Sequence, residues 1–164
     1  MNQSEPRSIL FVCMGNICRS PAADGLFLDY LQKQHKDSRI QIHVDSAGTH
    51  SYHVGEPADA RMRQAASRRG FNLQSRARQV TANDLQTFDY VLAMDRENLL
   101  AIQSLGGELE TEASAVTGLF SDYLDDSWPT DVPDPYYGGE DGFEYVLDMV
   151  EKACPQIYAA LTAV

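Results

Sequence analysis

The sequence predicts an α/β protein, a single-domain three-layer α/β/α fold with a central, mainly parallel four-stranded sheet. Short apolar runs alternate with longer segments of helical periodicity along all 164 residues, which is typical of βαβ units around a parallel sheet. This length suits one domain, and we assign residues 1–164 to it. With 43% hydrophobic and 23% charged residues, the composition is that of an ordinary globular protein, which needs no disulfide framework.

Four apolar segments are the strand candidates of this sheet. They are residues 8–12, 40–44, 89–94 and a short one at 115–119. Each contains β-branched or aromatic residues, which favour a buried strand. Because helical segments separate them, we expect neighbouring strands to run in parallel.

Helical periodicity and end signals place the helices between these strands. The first helix is predicted to begin just after Arg19, because Ser20 is a favourable N-cap and Pro21 suits the first helical position. Further helices are predicted at residues 58–69, 81–87, 95–105 and 140–161. Pro155 should kink the last helix or split it in two. The polar, Pro-rich residues 121–139 are too long for a plain connection and predict a functional loop.

The charge balance and the cysteine content restrict the partners and the compartment. The net charge is −11, from 13 basic and 24 acidic residues, whereas nucleic acid or an anionic membrane would need a basic surface. The apolar run at 9–12 is too short for a signal peptide or a membrane span. Three cysteines is a sparse, odd number, typical of a reducing compartment. We expect a cytoplasmic protein, monomeric or weakly dimeric, that binds neither nucleic acid nor membrane.

Two of the three cysteines lie in the segment between the first strand and the first helix. This segment reads Cys13-Met14-Gly15-Asn16-Ile17-Cys18-Arg19. In an open α/β sheet, ligands bind beyond the carboxyl ends of the strands, and a helix N-terminus offers unpaired N–H groups to an anion. The two familiar glycine-rich phosphate-loop patterns do not occur in the chain. The segment therefore predicts a phosphate site of another kind, built around a thiol and a guanidinium.

The residue types in this loop suit nucleophilic chemistry on a phosphate ester. Cys13 is the candidate nucleophile, because a helix N-terminus beside an arginine stabilises the reactive thiolate. Arg19 can hold two phosphoryl oxygens with its planar fork, and Gly15 permits a close approach of the backbone. Ser20 can offer its hydroxyl to the thiolate. A buried structural cysteine is the alternative, but the register of strand, glycine and helix start favours the thiolate.

The loop resembles that of the low-molecular-weight protein tyrosine phosphatases, in particular bacterial-type members, whose loop has the form C-x5-R-S at the end of the first strand. Here the pattern runs from Cys13 to Ser20. Four later segments are similar to other signatures of the family, in the family's order: DSAGTH at 45–50, ARQV at 77–80, FDYVLAMD at 88–95 and DPYYGG at 134–139. The resemblance covers nearly the whole chain and implies the family's fold.

This resemblance implies hydrolysis of phosphotyrosine and aryl phosphate monoesters in two steps, with no cofactor and no metal. Cys13 would form a phosphocysteine that water then hydrolyses, and Asp134 would serve as acid in the first step and base in the second. From the residues alone, Asp125, Asp126 and Asp131 in the same loop stay open as alternatives to Asp134. The implied partners are phosphotyrosine-containing proteins, including a cognate tyrosine kinase as substrate.

The resemblance also implies roles for the residues around these groups. Asn16 and Ser46 would form a hydrogen-bonded brace that supports the loop. The other residues of the phosphate-binding loop would be Met14, Gly15, Ile17, Cys18 and Ser20. The walls of the substrate cleft would be Tyr52, Tyr136 and Tyr137, with Met14 and Ile17, and such walls favour a flat aryl phosphate. A branch that resembles arginine phosphatases has threonine at the position of Ile17. The isoleucine here therefore favours phosphotyrosine over phosphoarginine as the substrate.

Two other functions stay open, and each makes its own demand on the sequence. A thioredoxin-coupled arsenate reductase shares this fold and loop but needs two further cysteines, whereas only Cys154, predicted to lie in the core, occurs outside the loop. A non-catalytic phosphate- or phosphotyrosine-binding module would not need an acid. His50 and His53 have no third ligand beside them, so we expect surface histidines and no metal site.

Cys18 is the expected redox partner of Cys13. Peroxide oxidises a reactive thiolate to a sulfenic acid, which proceeds to irreversible oxides unless another thiol condenses with it. A loop that curls around a phosphate brings its two ends together, so we expect a disulfide between Cys13 and Cys18 to be within reach.

Overall fold

A computed structural model describes residues 5–163, which fold into alternating strands and helices. In chain order the elements are β1 (Arg7–Cys13), α1 (Arg19–Gln34), β2 (Ile42–Gly48), α2 (Ala60–Arg68), α3 (Asp84–Thr87), β3 (Tyr90–Ala93), α4 (Arg96–Gly106), β4 (Val116–Leu119), a 3₁₀ turn (Phe120–Tyr123) and α5 (Glu140–Thr162). The strands pair in the order β2-β1-β3-β4, and every pair is parallel, which confirms the predicted α/β fold and four-stranded sheet. Within these residues, no helix has the length and apolar character needed to cross a membrane.

Strand β1 is covered by helices on both faces. Its side chains alternate, so Ile9 and Phe11 pack in a core with α1, α2 and α5, whereas Leu10 and Val12 pack with α3 and α4 on the opposite face. All four side chains are fully buried. The molecule therefore has the three layers that the sequence predicts.

The strand order places a crevice at the end of β1. β2 lies on one side of β1 and β3 on the other, so the chain leaves the centre of the sheet in opposite directions. Ligands of open α/β sheets bind at such a switch point, outside the carboxyl ends of the strands. Cys13 is the last residue of β1 and lies at this point.

The loop at 121–139 reaches the same edge of the sheet. After the 3₁₀ turn, the Val132 N–H donates to the Met94 carbonyl at 2.8 Å, just beyond the end of β3. The Met94 N–H in turn donates to the Val12 carbonyl at 2.9 Å. These bonds carry the loop across the carboxyl ends of β3 and β1, next to the phosphate loop.

Some element boundaries differ from the predicted ones. β2 spans Ile42–Gly48 rather than residues 40–44. The strand thus begins later than predicted and continues through Asp45 and Ser46, although both are polar. The N-cap of α1 is Cys18, so the prediction that Ser20 caps this helix is wrong. The Ser20 hydroxyl instead contacts a thiol in the preceding loop. In β2 and at Ser20, polar residues thus make contacts near the loop instead of following the local strand or helix pattern.

Helix α5 continues through Pro155 without a break, so of the two predicted outcomes, a kink or a split, the split is wrong. Proline lacks the N–H that the carbonyl four residues earlier, that of Glu151, would accept. Both residues are exposed, so water can hydrate this carbonyl. On the opposite side, the residues that pack into the core on either side of the proline include Ala153, Cys154 and Ile157, which confirms the core position of Cys154.

Candidate active site

A cavity of about 250 Å³ opens at the carboxyl end of β1. Its lining residues are Cys13, Met14, Gly15, Ile17, Cys18, Arg19, His50, Tyr52, His53, Asp134, Tyr136 and Tyr137. The structure thus brings the carboxyl of Asp134, from a distant part of the chain, to the thiol and the guanidinium of one loop, and surrounds them with the tyrosines predicted as walls. The predicted residues Asn16, Ser20 and Ser46 do not line the cavity and are buried.

The backbone carbonyls of the phosphate loop bind partners outside the loop. The segment after β2 donates N–H bonds to the carbonyls of Cys13 and Met14, each at 2.9 Å, and Asp59 donates to the carbonyl of Ile17 at 2.7 Å. A Cβ on Gly48 would lie 2.7 Å from the Met14 carbonyl, so this close approach requires glycine. With these carbonyls occupied, unpaired amides at the N-terminus of α1 are available to an anion.

The sulfur of Cys13 lies within reach of two hydrogen-bond donors. The Asn16 N–H donates to Sγ at 3.3 Å, and the Ser20 hydroxyl lies 3.0 Å from Sγ. Ser20 Oγ accepts a bond from Asn16 Nδ2 at 2.7 Å, so its own proton can point either at the sulfur or at the Ala47 carbonyl, which lies farther away at 3.5 Å. Both groups can donate hydrogen bonds to the sulfur atom.

Asn16 adopts a backbone conformation that few residues tolerate. Its φ is +57°, in the left-handed region where asparagine is among the favoured residues after glycine. Its side chain bridges two segments, because Nδ2 donates to Ser20 while Oδ1 accepts from the Arg78 N–H at 3.0 Å. Arg78 is itself held by ion pairs with Asp45 and Asp84. Asn16 therefore connects the loop to a fixed neighbouring segment.

Ser46, which is predicted to support the loop together with Asn16, bonds to helix α1. Its hydroxyl donates to Asp24 Oδ2 at 3.0 Å. Burial raises the pKa of Asp24 to about 6, and the nearby Asp45 adds to this, against hydrogen bonds from Ser46 and Ser75 that lower it. The supporting role of Ser46 stays a prediction.

Arg19 is fully buried and held in one orientation. Its Nη1 donates to Asp95 Oδ2 at 2.6 Å and to the Val132 carbonyl at 3.0 Å, and its Nη2 lies 3.6 Å from Asp134 Oδ2. Burial lowers the pKa of Arg19, but the negative charges of Cys13, Asp95 and Asp134 outweigh burial, so the pKa is raised overall. The guanidinium is permanently charged at the end of the cavity.

Asp95 is a site residue that the sequence reasoning missed. It is the N-cap of α4, where Oδ1 accepts the Asn98 N–H at 2.8 Å, while Oδ2 binds Arg19. One carboxylate thus caps a helix and orients the guanidinium of Arg19. Its position as the last residue of the FDYVLAMD segment, directly after a strand, was the available signal.

Asp134 differs from the other aspartates of its loop. In the described part of the chain it alone of the four candidates lines the cavity, and its side chain is 32% exposed. The Asp131 carboxylate binds Arg96 through Nε and Nη2, and these bonds lower the pKa of Asp131. Asp125 accepts bonds from Ser127, which lower its pKa as well.

Comparison with known proteins decides the family. Residues 8–164 match the model of the family described as low molecular weight phosphotyrosine protein phosphatase. The chain belongs to this family. The membership confirms the family and the enzyme class expected from the sequence, a protein-tyrosine-phosphatase.

Three similar proteins illustrate the range of this phosphatase family. The low molecular weight protein-tyrosine-phosphatase YfkJ of Bacillus subtilis is 41% identical, over 94% of this chain and 95% of that protein. A crystal structure of a protein tyrosine phosphatase from Entamoeba histolytica, with Hepes in the active site, has a TM-score of 0.86 and 39% identity, covering 94% of this chain and 96% of the other. A Drosophila arginine phosphatase has the same TM-score, 0.86, at 29% identity, covering 93% and 96%.

The entrance of the phosphatase cavity is aromatic and largely exposed. Tyr52 and Tyr137 are 82% and 85% exposed, whereas Tyr136 is half-buried and packs edge-on against Tyr137, with ring centroids 4.9 Å apart. His50 and His53 also line the cavity, which the sequence reasoning did not foresee when it placed them on the surface. Residues 5–163 contain no group of three or more side chains that could hold a metal ion.

Cys154 is not among the residues that line the cavity. It packs in the core of α1 and α5, and burial raises its pKa to about 12. An electron relay like that of an arsenate reductase would need accessible thiols beside the loop. A thiol with these properties does not suit that function.

Proposed function

We propose that this phosphatase hydrolyses phosphotyrosine and other aryl phosphate monoesters through a phosphocysteine intermediate. The observation that carries the proposal is that Cys13, Arg19 and Asp134 face a single cavity with an aromatic entrance. A thiolate nucleophile, a phosphate-binding fork and an acid are the three groups that the two steps require. Residues 1–164 would act as one domain carrying this one site.

In the first step the Cys13 thiolate attacks phosphorus, and the bond from phosphorus to the tyrosine oxygen breaks. Arg19 binds phosphoryl oxygens together with the amides at the start of α1, and stabilises the charge on them as the geometry changes. Asp134 donates its proton to the departing tyrosine oxygen. Since Asp134 Oδ2 lies 3.6 Å from Arg19 Nη2, the acid is next to the phosphate site.

In the second step water attacks the phosphocysteine and the bond from phosphorus to sulfur breaks. Asp134, now ionised, accepts the proton from water, and its partial exposure lets water reach it. The sulfur leaves as a thiolate, and the Ser20 hydroxyl and the Asn16 N–H, at 3.0 and 3.3 Å, stabilise its charge. Phosphate release restores the enzyme.

The substrate class follows from the walls of the cavity. A phenyl ring between Ile17 and Tyr136 would place its phosphate at the bottom of the cavity, whereas the phosphate of a serine side chain would leave this aromatic surface unused. Partners would be phosphotyrosine-containing proteins, with a cognate tyrosine kinase among the substrates. A cytoplasmic location and a monomeric or weakly dimeric state belong to the same proposal.

A turnover assay with four substrates tests this function. Nitrophenyl phosphate and a phosphotyrosine peptide should be hydrolysed with EDTA present, phosphoserine and phosphoarginine peptides should not, and vanadate should inhibit competitively. Binding of phosphotyrosine without turnover would identify a non-catalytic binding module. A preference for phosphoarginine would instead indicate an arginine phosphatase, like the Drosophila protein. Loss of turnover in EDTA, with recovery in zinc, would exclude the cysteine mechanism.

We also propose that Cys18 protects Cys13 from irreversible oxidation. Both thiols are free and buried at the cavity, and burial together with the negative Asp59 raises the pKa of Cys18, so Cys18 stays a neutral thiol while Cys13 reacts. Hydrogen peroxide would oxidise the Cys13 thiolate to a sulfenic acid. The Cys18 thiol would then condense with it, forming the disulfide and releasing water.

Peroxide treatment followed by mass spectrometry tests the redox role. The wild type should lose activity, form a Cys13–Cys18 disulfide and recover in dithiothreitol. Cys18→Ser should be nearly as active before treatment but should not recover after it. A sulfinic Cys13 beside an untouched Cys18 in the wild type would contradict the proposal.

A further inference from the structure

The N-terminus of α2 contacts both loops that the proposed reaction needs. The Asp59 N–H donates to the Ile17 carbonyl of the phosphate loop at 2.7 Å. The Asp59 carboxylate holds Arg61 through a forked pair of bonds, Nε to Oδ1 at 3.1 Å and Nη2 to Oδ2 at 2.9 Å. The guanidinium therefore has a fixed place relative to the phosphate loop.

The other side of this guanidinium contacts the segment that carries the acid. The Arg61 guanidinium carbon lies 5.3 Å from the ring centroid of Tyr136 and 4.8 Å from that of Phe143, both within the range of a cation–π contact. The Tyr136 N–H donates to Asp134 Oδ1 at 3.0 Å. A continuous set of contacts thus runs from Ile17 through Asp59, Arg61 and Tyr136 to Asp134.

The chemistry of the pair favours a positioning role over a role in stability. Hydrogen bonds from Arg61 lower the pKa of Asp59, so the carboxylate is charged whenever the enzyme works. The Arg61 side chain is 45% exposed, and exposed ion pairs contribute little to folding. A planar, charged group that binds a carboxylate through its fork and also contacts two aromatic rings is suited to hold one loop against another.

We propose that Asp59 and Arg61 form a clamp that sets the position of Asp134 relative to the phosphate loop, with Arg61 as a positioning residue for proton transfer. This proposal rests on the proposed function, since it adds no chemical step. Without the clamp, Tyr136 loses its charged partner and Asp134 is no longer held at the leaving oxygen. Proton donation should suffer, while nucleophilic attack and phosphate binding should not.

Leaving groups of different basicity test the clamp. Arg61→Ala should lower kcat/KM for phenyl phosphate by about tenfold, because small displacements of a reacting group have effects of this size or larger. Nitrophenyl phosphate, whose leaving group needs little protonation, should lose less than about twofold. Arg61→Lys should fall between, because lysine keeps the charge but lacks the planar fork. The matched control is Arg68→Ala, an arginine of the same helix that is 56% exposed and 3.8 Å from Glu144.

A double substitution separates the clamp from the proposed function. In an Asp134→Ala background, Arg61→Ala should cause no further loss, because both changes remove the same proton transfer. Vanadate inhibition of the Arg61→Ala enzyme should be unchanged. Equal losses for both esters, or additive losses in the double variant, would overturn the clamp and leave the phosphatase function intact. Failure of the wild type to turn over either ester would overturn the proposed function itself.

Discussion

The phosphate loop at residues 13–19 and the loop at 121–139, called the acid loop here because it carries the proposed acid Asp134, meet at one cavity but are built in opposite ways. In the phosphate loop, Cys13, Asn16 and Arg19 are each 2% exposed and have hydrogen-bond partners from several elements of the fold. In the acid loop, Tyr137 is 85% exposed and the Asp134 side chain 32%. The phosphate loop is thus buried in the core, whereas the side chains of the acid loop that line the cavity are partly or largely exposed.

The difference corresponds to what each loop has to do in the proposed reaction. The phosphate remains in the same place through both steps, so its binding groups gain from rigid, buried support. The acid must face a tyrosine in one step and a water molecule in the next, so its surroundings have to admit both. We therefore expect substitutions in the two loops to differ in kind, affecting the nucleophile, anion binding or stability in the first and proton transfer in the second.

The largest effect should come from Cys13→Ser. Hydrolysis should fall to background, because the variant lacks the nucleophile, while Arg19 and the amides of α1 still bind phosphate. Isothermal titration with phosphate or vanadate checks the binding, and a turnover assay checks the loss. Loss of anion binding in Cys13→Ser would mean that the sulfur, rather than the rest of the loop, organises the site.

Asp134→Ala should have the next largest effect. It should slow hydrolysis of phenyl phosphate by about 10²- to 10⁴-fold, the usual contribution of a general acid, and that of nitrophenyl phosphate by less. The thermal midpoint should hardly change, because this side chain is partly exposed. Asp126→Ala, an exposed position in the same segment, is the matched control. Similar losses for both esters would place the acid elsewhere.

Replacing Asn16 tests whether the phosphate loop depends on its buried hydrogen bonds. Asn16→Gly keeps the left-handed backbone but removes the bonds to Ser20 and Arg78, which should lower the free energy of unfolding by about 1–3 kcal/mol. Asn16→Ala should be less stable than the glycine variant, because alanine also strains the backbone. Urea denaturation measures both. If the glycine variant were as stable as the wild type, the brace would have no structural role.

The smallest effect on turnover should come from Asp24→Asn, which instead alters the pH dependence of stability. The pKa of Asp24 is about 6 in the folded protein, against an ordinary value of 3.8 for an aspartate, so the folded protein binds the proton more tightly than the unfolded chain. The free energy of unfolding should therefore fall as pH rises from about 4 to about 6, by up to about 3 kcal/mol. Urea denaturation at pH 4.5 and 7 should show this decrease in the wild type but not in Asp24→Asn, and an equal decrease in both would contradict it.

Much of the fold and half of the site could be predicted because their signals are local. The strand, the loop and the start of the helix are contiguous at residues 7–20. The spacing of the thiol, the glycine and the arginine is therefore enough to predict that they form one site. Errors arose where a residue serves the site instead of its own element. Of the two roles predicted for Ser20, the structure has the contact with Cys13 but not the N-cap. Strand β2 extends through Asp45 and Ser46, which bond to Arg78 and Asp24.

The sequence by itself determined the fold class and the phosphate loop, because both depend on periodicity and on residues close together in the chain. Residue type and spacing left Asp125, Asp126, Asp131 and Asp134 open, and the family resemblance singled out Asp134. The tertiary structure added that, of these four, Asp134 lines the cavity with Cys13. It likewise revealed Asp95 as the partner of Arg19 and Arg61 as the contact of Tyr136. These pairings depend on the parallel register of distant strands and on the packing of α2, which no local pattern encodes.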